Sequence, residues 1–271
     1  MSNGHFKFNH KTVAFRVGQS LAAALTEAGI FAFRHTPKGE ERGLFCGMGV
    51  CQDCLLTVDG IPNLRACMTK ATDGQNVEQQ VAFPALSNVP ISPKAPTARK
   101  LEPDVAIIGG GAGGLSAAIA ARASGASVVV LDERKVGGGQ YYKQAVGHYP
   151  LDDQQQEGAA LLSLAKESGA EIIGSVEIWG AFDGPLFLAE CNGAAYIIQP
   201  KTAIISTGAY ERPVMVPGWT LPGVMTTGAA QTLWRSYRTL PGQRVAVCGS
   251  GPLNAQLALE LEKGGAEVTI M

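Results

Sequence analysis

Four of the six cysteines fall within 22 residues, as Cys46-x4-Cys51-x2-Cys54-x12-Cys67 in the context GLFCGMGVCQDC. Three thiols from one short loop must meet a fourth from a nearby segment, so the loop has to wrap around whatever they hold. The spacing matches the plant-type pattern for a [2Fe-2S] cluster, C-x4-C-x2-C followed by a distant fourth cysteine. Gly43, Gly47 and Gly49 permit the positive φ angles that such a wrap demands, with backbone N–H groups aimed at the sulfurs. Zinc is the alternative, although structural zinc sites usually come as two tight C-x2-C pairs, which a four-residue gap suits poorly. Cys46 and Cys51 also have the spacing of a flavoprotein redox disulfide. They precede any nucleotide turn, however, and the place where such a pair would follow the first turn, VGGGQ, holds no cysteine. Cys191 and Cys248 stand alone.

Around the cysteines the pattern predicts a small module over residues 1–86. Phe6 and Phe8, then Val13 and Phe15, alternate with polar residues as a hairpin does. Ser20 can cap a helix through Leu21, Ala24, Leu25 and Ala28 that stops at Gly29. LLTVDG reads as a strand ending in an Asp59-Gly60 turn. A module this small often needs a metal to hold it together. Pro84, Pro90, Pro93 and Pro96 then describe an extended connector, placed at 87–102.

From Asp104 the pattern turns to β, α, β, and the expected fold class is α/β with parallel Rossmann-type sheets. VAIIG is a buried strand, Leu115 to Ser124 a small-residue helix and SVVVLD a second buried strand. Residues 152–169 read as a helix, with Asp152-Asp153 as its cap and solvated first turn. Short strands follow from Glu171 to Pro200 with an Asn192-Gly193 turn, then a buried strand at Thr202–Ser206. This domain is expected over 103–240.

Glycine, 34 of 271 residues, is well above the usual level of about 7 %, so it must serve particular turns. In GGGAGG, Gly109 makes a tight turn, Gly111 lets backbone approach a pyrophosphate and Gly114 lets helix pack on strand. Asp132, ending the second strand, can accept from ribose hydroxyls, and the helix N-terminus supplies free donors. RVAVCGSGPLNAQLALELEKGGAEVTIM repeats this unit, placing Gly249 on Gly109, Gly251 on Gly111 and Gly265 on Gly125. The repeat starts a second dinucleotide unit over 241–271. Asn254 replaces its third glycine, and the match stops one residue before the counterpart of Asp132. It reads as a partial NAD(P) or FAD site.

The cysteine loop with PNLRACMT resembles the ferredoxin-like module of hydrogen cyanide synthase, opine oxidase and related amine dehydrogenases. DVAIIGGGAGGL, VGGGQ and STGAYERPVMVPGWTLPGVMTTGAAQ resemble their flavoprotein component, and sarcosine oxidase α subunits place a similar pair of modules on one chain. The resemblance implies a β-grasp module with a [2Fe-2S] cluster on Cys46, Cys51, Cys54 and Cys67. It also implies FAD on Gly109, Gly111, Gly114 and Asp132, helped by Gly138, Gly139 and Gln140 and by Thr207 and Gly208. Such flavoproteins more often have Glu where Asp132 stands, and their flavin-binding half normally resumes after the second unit, so the chain reads as truncated.

The expected function is that of an iron-sulfur flavoprotein subunit oxidising the C–N bond of an amine, opine or amino acid. Its expected partners are a second flavoprotein subunit in a hetero-oligomer and a downstream electron acceptor. Alternatives are an NAD(P)H-dependent ferredoxin-type reductase and a non-catalytic electron-transfer subunit. With 22 Lys and Arg against 23 Asp and Glu, no basic field exists for nucleic acid. No apolar stretch has membrane-helix length, and the amino terminus shows no export signal, so a cytoplasmic place is expected, peripheral at the inner membrane through partners if at all. His5, His10, His35 and His148 are scattered and read as surface or core histidines, and Trp219 and Trp234 as core or interface rather than a catalytic cage.

Overall fold

The computed structural model describes residues 3–85, 97–147 and 149–271. Its contacts form two compact units, one of Met1–Val89, Val146–His148 and Glu211–Met271, the other of Pro90–Ala145 and Tyr149–Tyr210. Residues 211–240, expected with the first dinucleotide domain, thus lie with the cysteine module. Pro90, Pro93 and Pro96 of the connector, and His148, lie outside the described residues.

The module begins with β1 (Asn3–Phe8) and β2 (Lys11–Arg16), an antiparallel hairpin whose Phe6, Phe8, Val13 and Phe15 all bury on one face. Ser20 Oγ accepts from the Ala23 N–H at 3.2 Å and caps α1 (Leu21–Glu27), which is buried from Leu21 to Thr26. A two-residue ribbon, β3 (Arg34–His35) and β4 (Glu41–Arg42), precedes the cysteine loop. β5 (Leu55–Val58) and β6 (Ile61–Arg65) follow it, turning at Asp59 and Gly60, both at positive φ. β7 (Asn76–Gln79) completes a mixed sheet of order β2-β1-β7-β5-β6, with β1 and β7 parallel. One helix packed on such a sheet is the expected β-grasp. Leu21, Leu25, Phe33, Leu56 and Val77 are fully covered, each worth about 1.5–3 kcal/mol of transfer free energy.

The second unit holds β8 (Arg99–Leu101), β9 (Val105–Ile108), α2 (Ala112–Ala123), β10 (Val128–Leu131), α3 (Asp153–Glu167) and β11 (Glu171–Ile173). It continues with β12 (Val176–Phe182), β13 (Leu186–Cys191), β14 (Ala194–Ile198) and β15 (Thr202–Ile205). A parallel sheet runs β11-β10-β9-β15, and a second sheet runs β12-β13-β14-β8. The apolar runs of β9 and β10 are explained by two cores. Ala106, Val129 and Leu131 pack with Phe187, Ala189 and Ile198 of the second sheet, while Ile107, Val128 and Val130 pack with Ala118 of α2. Two details differ from the expectation. Residues 99–101 of the predicted connector form a strand parallel to β14. The strand predicted as buried at Thr202–Ser206 lies at the end of its sheet, leaving Ile205 exposed.

The chain then returns to the first unit through α4 (Thr227–Tyr237), β16 (Arg244–Val247), α5 (Pro252–Lys263) and β17 (Glu267–Ile270), with β16 and β17 parallel. The internal repeat reappears as a repeated hydrogen bond. Gly109 N–H donates to Leu131 C=O at 2.8 Å, and Gly249 N–H donates to Met271 C=O at 2.8 Å. No described helix is long and apolar enough to cross a membrane.

Candidate functional site

The cysteine loop joins β4 to β5 and is shaped by its glycines. A Cβ on Gly43 would stand 2.0 Å from the Phe31 carbonyl oxygen, and Gly47 and Gly49 take φ of 65° and 79°. The loop brings the four thiols together as two pairs. Cys54 and Cys67 sulfurs lie 3.4 Å apart. The Cys46 and Cys51 thiols are hydrogen-bonded, and the Cys46 sulfur also accepts the Met48 and Cys51 N–H groups, each at 3.5 Å. Cys51 sulfur accepts from the Asp53 N–H at 3.4 Å. Backbone donors thus point at sulfur, as a thiolate-bound cluster needs.

Within each pair one thiol becomes the readier thiolate. The hydrogen bond from Cys51 pulls Cys46 down to about 5 and, with burial, pushes Cys51 up. The bond between Cys54 and Cys67 lowers the first and raises the second in the same way. Two thiolates on one tetrahedral metal, with bonds of about 2.3 Å, sit about 3.8 Å apart. The Cys54–Cys67 pair, at 3.4 Å, is close to that spacing. Among the described residues no three His, Cys, Asp or Glu side chains converge on one ion. Arg34 braces the loop through Asp53, by Nη2 to Oδ1 at 2.7 Å and Nε to the carbonyl at 3.1 Å, and Arg65 Nη1 donates to the Gly49 carbonyl at 3.0 Å. Neither arginine was anticipated, although each is close in sequence to a ligand candidate or to the loop.

In the second unit the first glycine turn leaves β9 at the carboxyl edge of the parallel sheet, the usual ligand edge of such sheets. A Cβ on Gly109, at φ +107°, would meet Ser206 O at 2.3 Å, and one on Gly114 would meet Gly109 O at 1.9 Å. Gly111 caps α2 with no side-chain hydrogen bond, leaving the first helical N–H groups to a phosphate. The VGGGQ stretch folds onto this turn. Gly138 N–H donates to Gly110 C=O at 2.8 Å, and a Cβ on Gly139 would lie 2.9 Å from Gly111 Cα. Gln140, Thr207 and Gly208 are exposed, the last two separated from the end of β15 by Ser206.

Asp132 is buried, and both of its oxygens have backbone donors, Gly110 N–H at 2.6 Å and Arg134 N–H at 2.7 Å. It therefore fixes the turn, and its carboxylate keeps lone pairs that can accept further donors. Ser206, missed in the sequence, ties β15 to the turn by donating to Gly109 O at 2.8 Å. Tyr210, also missed, donates to Glu133 Oε2 at 2.9 Å, beside Asp132.

The second turn is built differently. Gly249 is at φ +114° and Gly251 caps α5, both exposed. Asn254 occupies the place of the third glycine and donates from Nδ2 to the carbonyls of Cys248 (3.0 Å) and Gly249 (3.2 Å), while its Oδ1 accepts from Thr227 Oγ1 at 2.5 Å. The described histidines, His5, His10 and His35, do not join any of these sites; His35 faces Glu41 at 3.8 Å.

Comparison with known proteins agrees with this geometry. Residues 4–82 match the 2Fe-2S iron-sulfur cluster binding domain, and residues 103–271 match the pyridine nucleotide-disulphide oxidoreductase family. An opine oxidase subunit of Agrobacterium tumefaciens is 42 % identical over 80 residues, 29 % of this chain and 16 % of that protein. Hydrogen cyanide synthase subunit HcnA of Pseudomonas aeruginosa is 38 % identical over 72 residues, 27 % of this chain and 69 % of that one. The chain matches under a fifth of the length of the opine oxidase subunits. The fold is that of L-proline dehydrogenase from P. horikoshii, with a TM-score of 0.85 at 24 % identity over 100 % of this chain and 53 % of that one. The chain belongs to the pyridine nucleotide-disulphide oxidoreductase family and carries a 2Fe-2S iron-sulfur cluster binding domain ahead of it.

Proposed function

We propose that this chain is the iron-sulfur flavoprotein part of an enzyme that oxidises the C–N bond of an amine, opine or amino acid. Cys46, Cys51, Cys54 and Cys67 would hold the [2Fe-2S] cluster, and Gly109, Gly111, Gly114, Asp132, Gly139, Gln140, Thr207 and Gly208 would hold FAD. When bound, the flavin takes the electron pair from the C–N bond and the cluster passes it on one electron at a time. The chain's own residues prepare for this. Asp132 holds Gly110 in place, Ser206 holds Gly109, and the start of α2, whose Gly111 cap has no side chain to bond it, offers N–H groups to a pyrophosphate. Arg34 and Arg65 hold the cysteine loop at Asp53 and Gly49.

The observation that carries the reading is the pairing of four thiols in one small module, on the same chain as a complete glycine turn. The substrate class is supported by relatives named for opines and cyanide synthesis. Because those relatives are subunits, we infer a hetero-oligomer in which a second flavoprotein chain and an external electron acceptor take part. We place it in the cytoplasm, where cysteines stay reduced until metal arrives; all six are free. We assign no nucleotide to Gly249 and Gly251, because the Asn254 amide ties that turn to itself. The test is anaerobic mixing of the FAD-loaded chain, with its co-purifying partners, with opines and amino acids and separately with NADH and NADPH. Bleaching of the flavin by a C–N substrate supports the reading; bleaching by reduced pyridine nucleotide alone overturns it.

A further inference from the structure

The cluster cysteines are unequally covered. Cys46, Cys54 and Cys67 are buried, and Cys51 is half-buried. Part of the cover over Cys46 and Cys51 comes from the loop itself, from Phe45 and Met48, each 8 % exposed. The rest comes from far along the chain. Trp219 packs against the same group, its ring 5.1 Å from that of Phe45 at 69°, edge to face.

This placement is held on both sides. Thr226 N–H donates to the Phe45 carbonyl at 3.0 Å, and a Cβ on Gly47 would stand 2.9 Å from Ala229 Cα, so the loop rests directly on the start of α4. Trp219 N–H closes a turn onto Val216 C=O at 3.0 Å. Around it Val214, Met215, Val216, Leu221 and Val224 are all exposed. A segment that leaves five apolar side chains in water nevertheless turns its indole onto the cysteine loop.

We propose that Trp219 is a positioning residue for the cluster, setting the water access, and through it the potential, of the metal held by Cys46 and Cys51. The inference rests on the functional reading above. Reduction adds one electron to an already anionic cluster, and nearby water favours the more negative state. An indole in place of water therefore lowers the potential and shields the sulfurs from attack. The residue that tunes the cluster is then supplied by a segment matched to the oxidoreductase family that lies in the same compact unit as the cysteine loop.

The test uses the full chain, reconstituted anaerobically, as wild type, Trp219→Ala and Trp219→Phe. Iron and sulfide are counted, the midpoint potential is taken from an EPR-monitored titration, and cluster loss to an iron chelator is timed. With equal iron content, Trp219→Ala should lose its cluster several-fold faster and titrate at a higher potential, and Trp219→Phe should restore most of both. A loaded Trp219→Ala with wild-type potential and wild-type loss rate overturns the proposal. If the alanine variant does not fold, Trp219→Leu replaces it; equality of Leu, Phe and wild type in both readouts overturns the proposal as well. A wild-type chain that takes up no iron overturns the functional reading instead, and this inference with it.

Discussion

Gly113 and Gly114 are neighbours in the first turn of α2, and alanine should have opposite effects at the two. At Gly114 the new carbon would lie 1.9 Å from Gly109 O and 2.7 Å from Ser206 Oγ. A C···O contact relaxes near about 3.3 Å, so helix and strand would have to separate by about 1.4 Å. Leu115 and Ala118, both 0 % exposed, lock α2 in place and oppose that movement. Overpacking of this kind costs about 1–3 kcal/mol or more, and alanine's helix propensity returns up to about 1 kcal/mol, leaving a net loss of about 2 kcal/mol. At Gly113 nothing lies within 4 Å, and only the gain of up to about 1 kcal/mol applies. For a unit of this size about 2 kcal/mol lowers Tm by roughly 4–8 °C, whereas the Gly113 gain raises it by at most roughly 2–4 °C. Thermal unfolding of the flavin-free chain measures both, and flavin fluorescence quenching should show FAD binding weakened only in Gly114→Ala. A Gly114→Ala chain as stable as wild type, or shifts of the same sign in both variants, would refute the packing argument.

Cys51→Ser should abolish the visible absorbance of the cluster and destabilise the first unit, leaving the thermal transition of the second in place; an unchanged spectrum contradicts the ligand set. Arg235 and Glu260 form a pair at 2.8 Å with side chains 1 % and 13 % exposed, so Glu260→Ala should destabilise the chain by up to about 3–5 kcal/mol by removing a carboxylate that faces a buried cation, and an Arg235→Met, Glu260→Leu double variant should recover most of it in denaturant unfolding. Lys201 at 2.6 Å, with the Ser127 N–H and hydroxyl, holds the Asp104 carboxyl well below the usual carboxylate range. Its contribution should therefore be complete above the unfolded value of about 3.9 and disappear as pH falls below it, so the Tm gap between wild type and Asp104→Asn should close in acid.

The parts legible in the sequence were those where chemistry fixes a spacing. Cysteines that must surround a cluster, and glycines where Gly114 faces Gly109 O, leave marks that survive any environment. The same holds for Ser20 as a cap and for the β1–β2 alternation, because each has a local physical cause. What was missed depends on distant partners. α4 carries an apolar stripe at helical spacing, Ala230, Leu233, Trp234 and Tyr237, but the stripe does not reveal that the helix serves two cores at once, Leu233 in the module and Ala230 against α5, while burying Gln231, Thr232 and Arg235. β8 is three residues, Arg-Lys-Leu, placed by β14, by Arg99 to Glu171 at 2.9 Å and by the face of Tyr196. Spacing alone told neither which thiols pair nor that Trp219 covers one of the pairs. Asp132 was read only as a ribose acceptor, since its two backbone donors come from loops whose path has no sequence signature.

The central claim is that two thiol pairs grip two bridged irons. Anaerobic purification with metal and acid-labile sulfide analysis, followed by EPR after dithionite, tests it most directly. Two irons and two sulfides per chain with the signal of a reduced [2Fe-2S] centre are predicted. One zinc per chain, no sulfide and no paramagnetic signal would contradict it.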